Sequence, residues 1–317
     1  MDTMQIDRAK FFSEEYFFNC AILRYNGKLI LAYRRDIQKQ LPKVYIAELG
    51  EDLVPYSNTE IKIPFTCPDG NRHEDPRLFV FKGKLYMGFA TVHGQYGVAS
   101  QGLVQLDDSY KVKKVWYPNY KNNRSVAIKG DVIREVAMGV FQTSEAPRDI
   151  EKNWIYFEYN DKLYFVYWFN PHQIVEMSLR TGDAKLKYQS RFDIGDRWKF
   201  GEIRGGTCPV KKGNYFYSFF HSSLFMDDKD GKRVHMYYAG AYKFEAKPPF
   251  KVVAMTNTPL FQGDIDVNLN SWGALCVFPC GSILENSKWT VSYGYHDREC
   301  RIFTVKESEL EKRLISV

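Results

Sequence analysis

NGKLILAYR (residues 26–34) joins a two-residue turn to an apolar run that ends in an aromatic and a base. Asn-Gly tolerates positive φ at both turn positions and so closes tight hairpins. The run behind it reads as a returning strand. The pattern recurs in KGKLYMGFA (82–90), NDKLYFVYW (160–168), KGNYFYSFF (212–220) and NSKWTVSYG (286–294). Each copy follows another apolar run: FNCAILRY, DPRLFVF, NWIYFEY, GGTCPVK and ALCVFPCGSIL. The unit is therefore strand, turn, strand. Stretches such as KVYIAELGEDL, GLVQLDDSYKVKKVWY, QIVEMSLRTGDAKLKY and HMYYAGAYKF supply its third and fourth strands. Connections of unequal length set the copies roughly 50 to 80 residues apart. Four strands per unit, five times over, predict an all-β chain folded as a five-bladed β-propeller. A β-sandwich also uses glycine-turn hairpins, but five copies with one ending favour the propeller. The helical period appears only in KESELEKRLIS near the C-terminus, where Leu310 and Leu314 lie four apart. No linker or low-complexity tract divides the chain, so residues 1–317 are expected to form a single domain.

The 317 residues include 22 Tyr, 23 Phe and 6 Trp, an aromatic wealth that suits pleated, half-buried surfaces. A formal charge of +6, from 44 basic and 38 acidic residues, is spread along the chain. Nucleic-acid binders concentrate such charge in a stripe or block; KVKK (111–114) and KLKY (185–188) are too short for one. No nucleic-acid partner is expected, and a local anion such as phosphate fits the balance better. The N-terminus MDTMQIDRAKFF lacks the basic-then-apolar order of a secretory signal. No run reaches the roughly 18 apolar residues that span a bilayer. A cytoplasmic protein with no membrane partner is expected. The cysteines Cys20, Cys67, Cys208, Cys276, Cys280 and Cys300 are then reduced thiols. Cys276 and Cys280 form a CxxxC pair without a matching His or Cys pair nearby, a poor zinc signal.

In a propeller the first strand of each blade lines the axis, so residues leading into those strands crowd one opening. Asn19 stands there in the first unit, with His73, Glu74, Asp75 and Arg77 in the second. The third brings Lys152, Asn153 and Trp154; the fourth brings Arg204, Gly205, Gly206 and Thr207. Returning strands end at the same face with Arg34 and Arg35, His172, His221 with Ser222 and Ser223, and His296 with Asp297. Each residue alone has a plainer reading. Asp75 before Pro76 suits a turn, Arg77 suits a structural ion pair, Lys152 a solvated loop, and the histidines packed positions. Their recurrence at equivalent blade positions argues for a shared pocket.

The pocket's chemistry is bounded by what is missing. There is no G-x-S-x-G elbow and no Walker or Rossmann glycine loop. Carboxylates with arginine, lysine and aromatics suit a sugar: an aromatic such as Trp154 stacks on a pyranose, and carboxylates bind hydroxyls. An acid then protonates the glycosidic oxygen as an oxocarbenium-like state develops.

HEDPRLFVFKGKLYMGF, FNCAILRYNGKLILAYR, EKNWIYFEYNDKLYFVY, RGGTCPVKKGNYFYSFFHSS and VSYGYHDRECRI together resemble the glycoside hydrolase family 130 superfamily. That group holds β-mannoside phosphorylases and hydrolases and related β-1,2-mannosyltransferases. The resemblance runs from about residue 17 to 305, and its most specific part is Glu-Asp-Pro-Arg before an apolar strand. EKNW and RGGT set the chain in a divergent branch. The resemblance implies a five-bladed propeller acting on β-mannosides with inversion. It makes Asp75 the general acid, working through a sugar hydroxyl, and offers Arg34, Arg35, Lys152 and Arg204 for phosphate. Asp297 matches a sugar-contacting aspartate. Asn19, Glu74, Arg77, Asn153, Trp154, His172, Thr207 and His221 are the remaining substrate-binding candidates. No cofactor is implied beyond inorganic phosphate or a sugar 1-phosphate as co-substrate, with an oligosaccharide or glycoside as partner. A phosphorylase or transferase needs converging cations, whereas an inverting hydrolase needs a second carboxylate to activate water, for which Glu74, Glu151 and Glu202 are at hand. Both readings stand at this point, beside that of a non-catalytic carbohydrate-binding propeller.

Overall fold

A computed structural model describes residues 2–5, 16–36, 42–64, 71–93, 98–121, 123, 150–267 and 274–317. It is all-β apart from one 3-10 turn and one short helix of seven residues, Glu307–Arg313, among the described residues. The first sheet orders its strands Tyr16–Tyr25, Lys28–Asp36, Lys43–Leu49, Pro55–Glu60. The second runs Asn71–Phe81, Lys84–His93, Val98–Leu106, Val112–Trp116, and the third Ile155–Tyr159, Lys162–Trp168, His172–Met177, Ala184–Ser190. The last sheet holds Val277–Glu285, Lys288–Tyr295 and Glu299–Lys306, and the N-terminal strand Asp2–Gln5 adds antiparallel to its outer edge.

The turns follow from their residues. Asn26-Gly27, Lys82-Gly83, Asn160-Asp161 and Asn286-Ser287 carry positive φ at both positions, the geometry that matches strand twist in two-residue hairpins. At Gly213-Asn214 only Gly213 does.

The expectation of five regular four-stranded blades needs correction: four such blades form, and the segment between the third and last sheets does not follow the pattern. There Tyr215–Asp227 and Arg233–Glu245 are strands of 13 residues each within an eight-stranded sheet. The partner of Tyr215–Asp227 on its axial side is broken into Glu202–Arg204 and Val210–Lys212. Between these pieces lie Gly205 and Gly206, where an added Cβ would overlap the carbonyls of Asn153 and Phe219. Close backbone approach, which glycine alone permits, bends the chain there. Leu310 is buried in the C-terminal helix as its spacing suggested, but Leu314 instead begins the strand Leu314–Ser316, which pairs with Val252–Thr256.

Adjacent sheets pack face to face around a ring. Leu78 and Met87 of the second sheet share a cluster with Ala21 and Ile30 of the first. Phe79 stacks on Tyr156 at 5.2 Å, joining second to third. Phe157 meets Phe216 at 4.9 Å, and Phe219 meets Trp289 at 5.5 Å. Ile22 and Leu31 then pack with Ile302, returning to the first sheet. The arrangement is propeller-like, and it brings the leading ends of the inner strands to one opening.

Candidate active site

The chain meets the opening through residues in left-handed backbone conformation: Asn19 (φ 52°) and Asp75 (φ 53°) within inner strands, Asn153 (φ 69°) just ahead of one, and His296 (φ 52°) and Asp297 (φ 53°) in the turn after Lys288–Tyr295. In the first two sheets the register slips at the same place, between Phe18 and Ala21 and between Glu74 and Arg77. Such bulges re-aim side chains beside active sites. The last sheet slips between Pro279 and Gly281.

Asp75 is the focus. It is buried, its Oδ1 accepts from Asn19 Nδ2 at 2.6 Å, and its Oδ2 lies 3.2 Å from Lys152 Nζ. Burial works to raise its pKa, but the charges of Lys152, Arg77 and Arg34 and the Asn19 amide overcome this and hold it at about 2. Lys152 keeps 28% of its side chain exposed. Burial alone would weaken its hold on a proton, yet Asp75 and Glu74 raise its pKa. Glu74 is buried and sits 3.0 Å from Arg34 Nη1. Burial, reinforced by the Asp75 charge, nevertheless raises Glu74 above the usual carboxylate range. The two adjacent carboxyls are thus driven apart, one firmly ionised and one readier to hold a proton.

Several candidates converge here and several do not. Arg34 reaches Glu74 while both ends of its fork bind Asp36, at 2.7 and 2.9 Å. Arg35 alternates to the opposite face and lies over the Tyr45 ring at 5.2 Å, so it is removed from the anion-binding set. Arg77 is fully buried and committed to protein: its Nε donates to the Gly206 carbonyl at 2.7 Å, Nη1 to the Asp75 carbonyl at 3.0 Å and Nη2 to Asn153 Oδ1 at 3.0 Å. It is a strut between inner strands rather than a sugar ligand, and Asn153 is its anchor. Thr207 is likewise internal; its hydroxyl accepts from the Phe219 amide at 3.0 Å and from Ser282 at 3.2 Å.

Two aromatic-type candidates are core residues. Trp154 is fully buried and stacks on Phe165 at 4.5 Å with the rings parallel, so it cannot serve as a sugar platform. His172 is fully buried at the start of the third strand of its sheet, against Phe244, with Nδ1 2.8 Å from the Phe250 carbonyl. Burial lowers its pKa to about 4. Both side chains are packed in the core.

His221 remains with the site. It is buried, 4.4 Å from the Phe278 ring, and its Nδ1 has no hydrogen-bond partner among the described residues. Burial, with the charges of Arg204, Arg77 and Lys152, pushes its pKa well below the usual imidazole range, leaving it neutral. Arg204 is 44% exposed and pairs with Glu202 at 3.2 Å. The Tyr237 hydroxyl, raised by burial, Cys276 and the Asp297 charge, also senses Arg204 and Asp75.

Sequence reasoning missed Tyr237, Phe278, Asp36 and Gly294. An added Cβ at Gly294 would overlap the Asn19 side-chain oxygen, so this glycine makes room for the donor to Asp75. Phe278 lies under the Arg77 guanidinium at 5.2 Å. The period-two alternation His235, Tyr237, Ala239 was the available signal for Tyr237.

Residues 4–314 match the family profile described as beta-1,4-mannooligosaccharide phosphorylase. No curated protein matches the chain. Among solved structures, the beta-1,2-mannobiose phosphorylase from Listeria innocua is similar with a TM-score of 0.63 at 16% identity, covering 99% of each chain. A mannose phosphorylase from Leishmania mexicana, in complex with phosphate ion, gives 0.60 at 11% identity, over 100% of this chain and 91% of that one. A GDP-Man-dependent mannosyltransferase from the same organism gives 0.58 at 13% identity, over 96% and 89%. At these identities the likeness speaks to the fold.

Proposed function

The chain belongs to glycoside hydrolase family 130, and on that premise we propose that it is an inverting phosphorylase or mannosyltransferase of β-mannosides. The eight-stranded sheet is read as an enlarged fifth blade of a single-domain propeller. Asp75 is the proton-transferring group. In phosphorolysis, dihydrogen phosphate first yields a proton to Asp75; a phosphate oxygen attacks the anomeric carbon, the glycosidic bond breaks, and the leaving oxygen takes that proton, relayed from Asp75 through a sugar hydroxyl. In synthesis from mannose 1-phosphate the same steps run backwards. An incoming phosphate competes for Lys152, and as that cation turns to the anion the hold on the Asp75 carboxylate weakens. Its affinity for a proton then rises when a proton is needed. Lys152 and Arg204 are the partly exposed cations for phosphate, with Arg34 acting from behind Glu74. Asn19, His221 and Asp297 contact the sugar. The reaction calls for no cofactor beyond its phosphate co-substrate.

The observation that carries this reading is the pairing of Asp75 with Lys152 at 3.2 Å at the shared opening. Hydrolysis would need another carboxylate able to activate water. Glu74 is instead bound to Arg34, Glu202 to Arg204, and Glu151 accepts from the Tyr167 hydroxyl at 3.3 Å. Incubation with mannose 1-phosphate and a panel of acceptor sugars should give new oligosaccharides and free phosphate. Release of mannose from a β-mannoside in phosphate-free buffer, with no phosphate dependence, would establish a hydrolase instead. Sugar binding without turnover in either assay would leave a carbohydrate-binding module.

A further inference from the structure

The long hairpin of the eight-stranded sheet has two unlike faces. Its register sets His221 opposite Ala239, Ser223 opposite Tyr237, and Phe225 opposite His235. The alternate residues Leu224, Met226, Val234, Met236 and Tyr238 pack into the core beside the third sheet. The first set forms a continuous row of rings instead. Phe225 stacks on His235 at 4.2 Å, His235 meets Tyr237 at 4.7 Å, Tyr237 lies parallel to His221 at 6.2 Å, and His221 meets Phe278 at 4.4 Å. Phe278 in turn underlies Arg77, whose Nη1 holds the Asp75 carbonyl. The row starts beneath Arg77, which holds the Asp75 backbone carbonyl, and climbs outward. Exposure rises along it, from 2% at His221 to 57% at Phe225. Those two residues are about 13 Å apart along the strand.

A cross-strand aromatic pair needs no ligand to explain it. Here, however, the pair extends a row already in contact with the site, and its outer member is a large apolar ring left more than half exposed. Rings with apolar faces beside polar edges (imidazole and phenol) match the two characters of a pyranose, which offers C–H faces to rings and hydroxyls to donors and acceptors. Arg204 stands opposite His221 in the paired strand, which sets a cation beside the row.

We infer that the Phe225–His235 pair, with Tyr237 between it and the catalytic opening, is an outer subsite for the distal sugars of an oligosaccharide acceptor. This rests on the activity proposed above and adds to it a length preference: chains of two or more sugars reach the pair, and a monosaccharide does not.

Binding tests this apart from turnover. Calorimetric titration of the full chain with mannose, mannobiose and mannotriose should show affinity rising with length. Phe225→Ala and His235→Ala should weaken mannotriose roughly three- to tenfold, the worth of one ring contact, and leave mannose unchanged. Phe225→Trp should restore the gain. Since Phe225 is exposed, its truncation should leave the melting temperature within about 2 °C of wild type. If mannotriose binds no better than mannose, or Phe225→Ala weakens every length equally, the inference is wrong. A length-dependent loss in Phe225→Ala without any turnover of mannose 1-phosphate would support the subsite while rejecting the proposed activity.

Discussion

Replacing Lys152 by Met removes the cation 3.2 Å from Asp75 Oδ2 and leaves a side chain of similar length. At that separation, with an effective dielectric near 20, the attraction is about 5 kcal/mol, which sets a ceiling. Arg77, Arg34 and the Asn19 amide stay in place and retain part of the stabilisation. We expect the Asp75 midpoint to move up by roughly 2 pH units, or about 3 kcal/mol. The sign for stability follows. The folded midpoint of about 2 lies below the ordinary 3.8, so the ionised carboxylate stabilises the fold above pH 3.8, and this contribution disappears as pH falls through 2. It amounts to about 2 kcal/mol in the wild type. In the variant a midpoint of about 4 meets the ordinary 3.8, so this contribution is gone at every pH: the variant should be about 2 kcal/mol less stable near pH 7, and the two profiles should converge toward pH 2. Carbon-13 NMR titration of labelled aspartate, assigned with Asp75→Asn, reads the midpoint directly. Guanidinium unfolding from pH 2 to 7 reads the linkage. If the Asp75 signal still titrates near 2, or the two unfolding profiles superimpose, the ion pair does not control this carboxyl. The mechanism in which phosphate competes for Lys152 would then lose its basis.

Gly294→Ala should displace Asn19 and deprive Asp75 of its 2.6 Å donor. We expect kcat/KM to fall about tenfold, the loss of one hydrogen bond to a charged group, and Asn19→Ala to cost about as much, with the double variant little worse than either; an unchanged rate would show that the amide is dispensable. Trp154→Phe should cost about 1–2 kcal/mol in chemical unfolding, short of the 3–5 for complete truncation, while leaving KM for sugars unaltered; a raised KM with unaltered stability would return Trp154 to the binding set. His172, held at about 4 by burial, stays neutral in the fold while the unfolded chain takes up a proton below 6.5. Stability is therefore lost as pH falls from 6.5 to 4, by about 3 kcal/mol in all. His172→Gln should flatten this stretch of the pH–stability curve, and an unchanged slope would assign the loss to other groups.

The hairpin turns were legible because their chemistry is local: Asn-Gly, Lys-Gly and Asn-Asp reach positive φ without help from the rest of the chain. The eight-stranded sheet was not. It depends on how far Tyr215–Asp227 and Arg233–Glu245 stay paired, which the turn residues do not encode. Among candidate site residues, the grouping of Asn19, Glu74, Asp75, Lys152 and His221 was readable from their place ahead of or behind apolar strands. Trp154 was misread because an aromatic beside a polar loop looks the same whether it faces the opening or, one step along a strand, the core. Arg77 looked like an ion-pair partner from its neighbours in sequence. Its actual acceptors are the carbonyls of Asp75, Gly205 and Gly206 and the Asn153 amide oxygen, up to 129 positions distant. No local pattern announces such partners.

The left-handed residues explain how an apolar ring carries a polar centre. A continuous strand alternates its side chains between two packed faces, and in these blades both faces are occupied by neighbouring sheets. Neither direction would deliver a carboxylate to the axis. The slip at Asn19 and at Asp75 breaks the alternation for one step and turns the side chain out of both interfaces. Left-handed backbone costs a non-glycine residue of order 1–3 kcal/mol, least for Asn and Asp, and those are the residues found at Asn19, Asp75, Asn153 and Asp297. The Asn19 amide of the neighbouring inner strand and the Arg77 guanidinium of Asp75's own strand then bind its side chain and carbonyl respectively, so the strained residue is held at both. Residue type at these positions is thus constrained twice, by backbone conformation and by chemistry. This accounts for Asp75 rather than glutamate at the slip: glutamate would bear the greater backbone cost, and its longer side chain would carry the carboxyl past both Asn19 and Lys152.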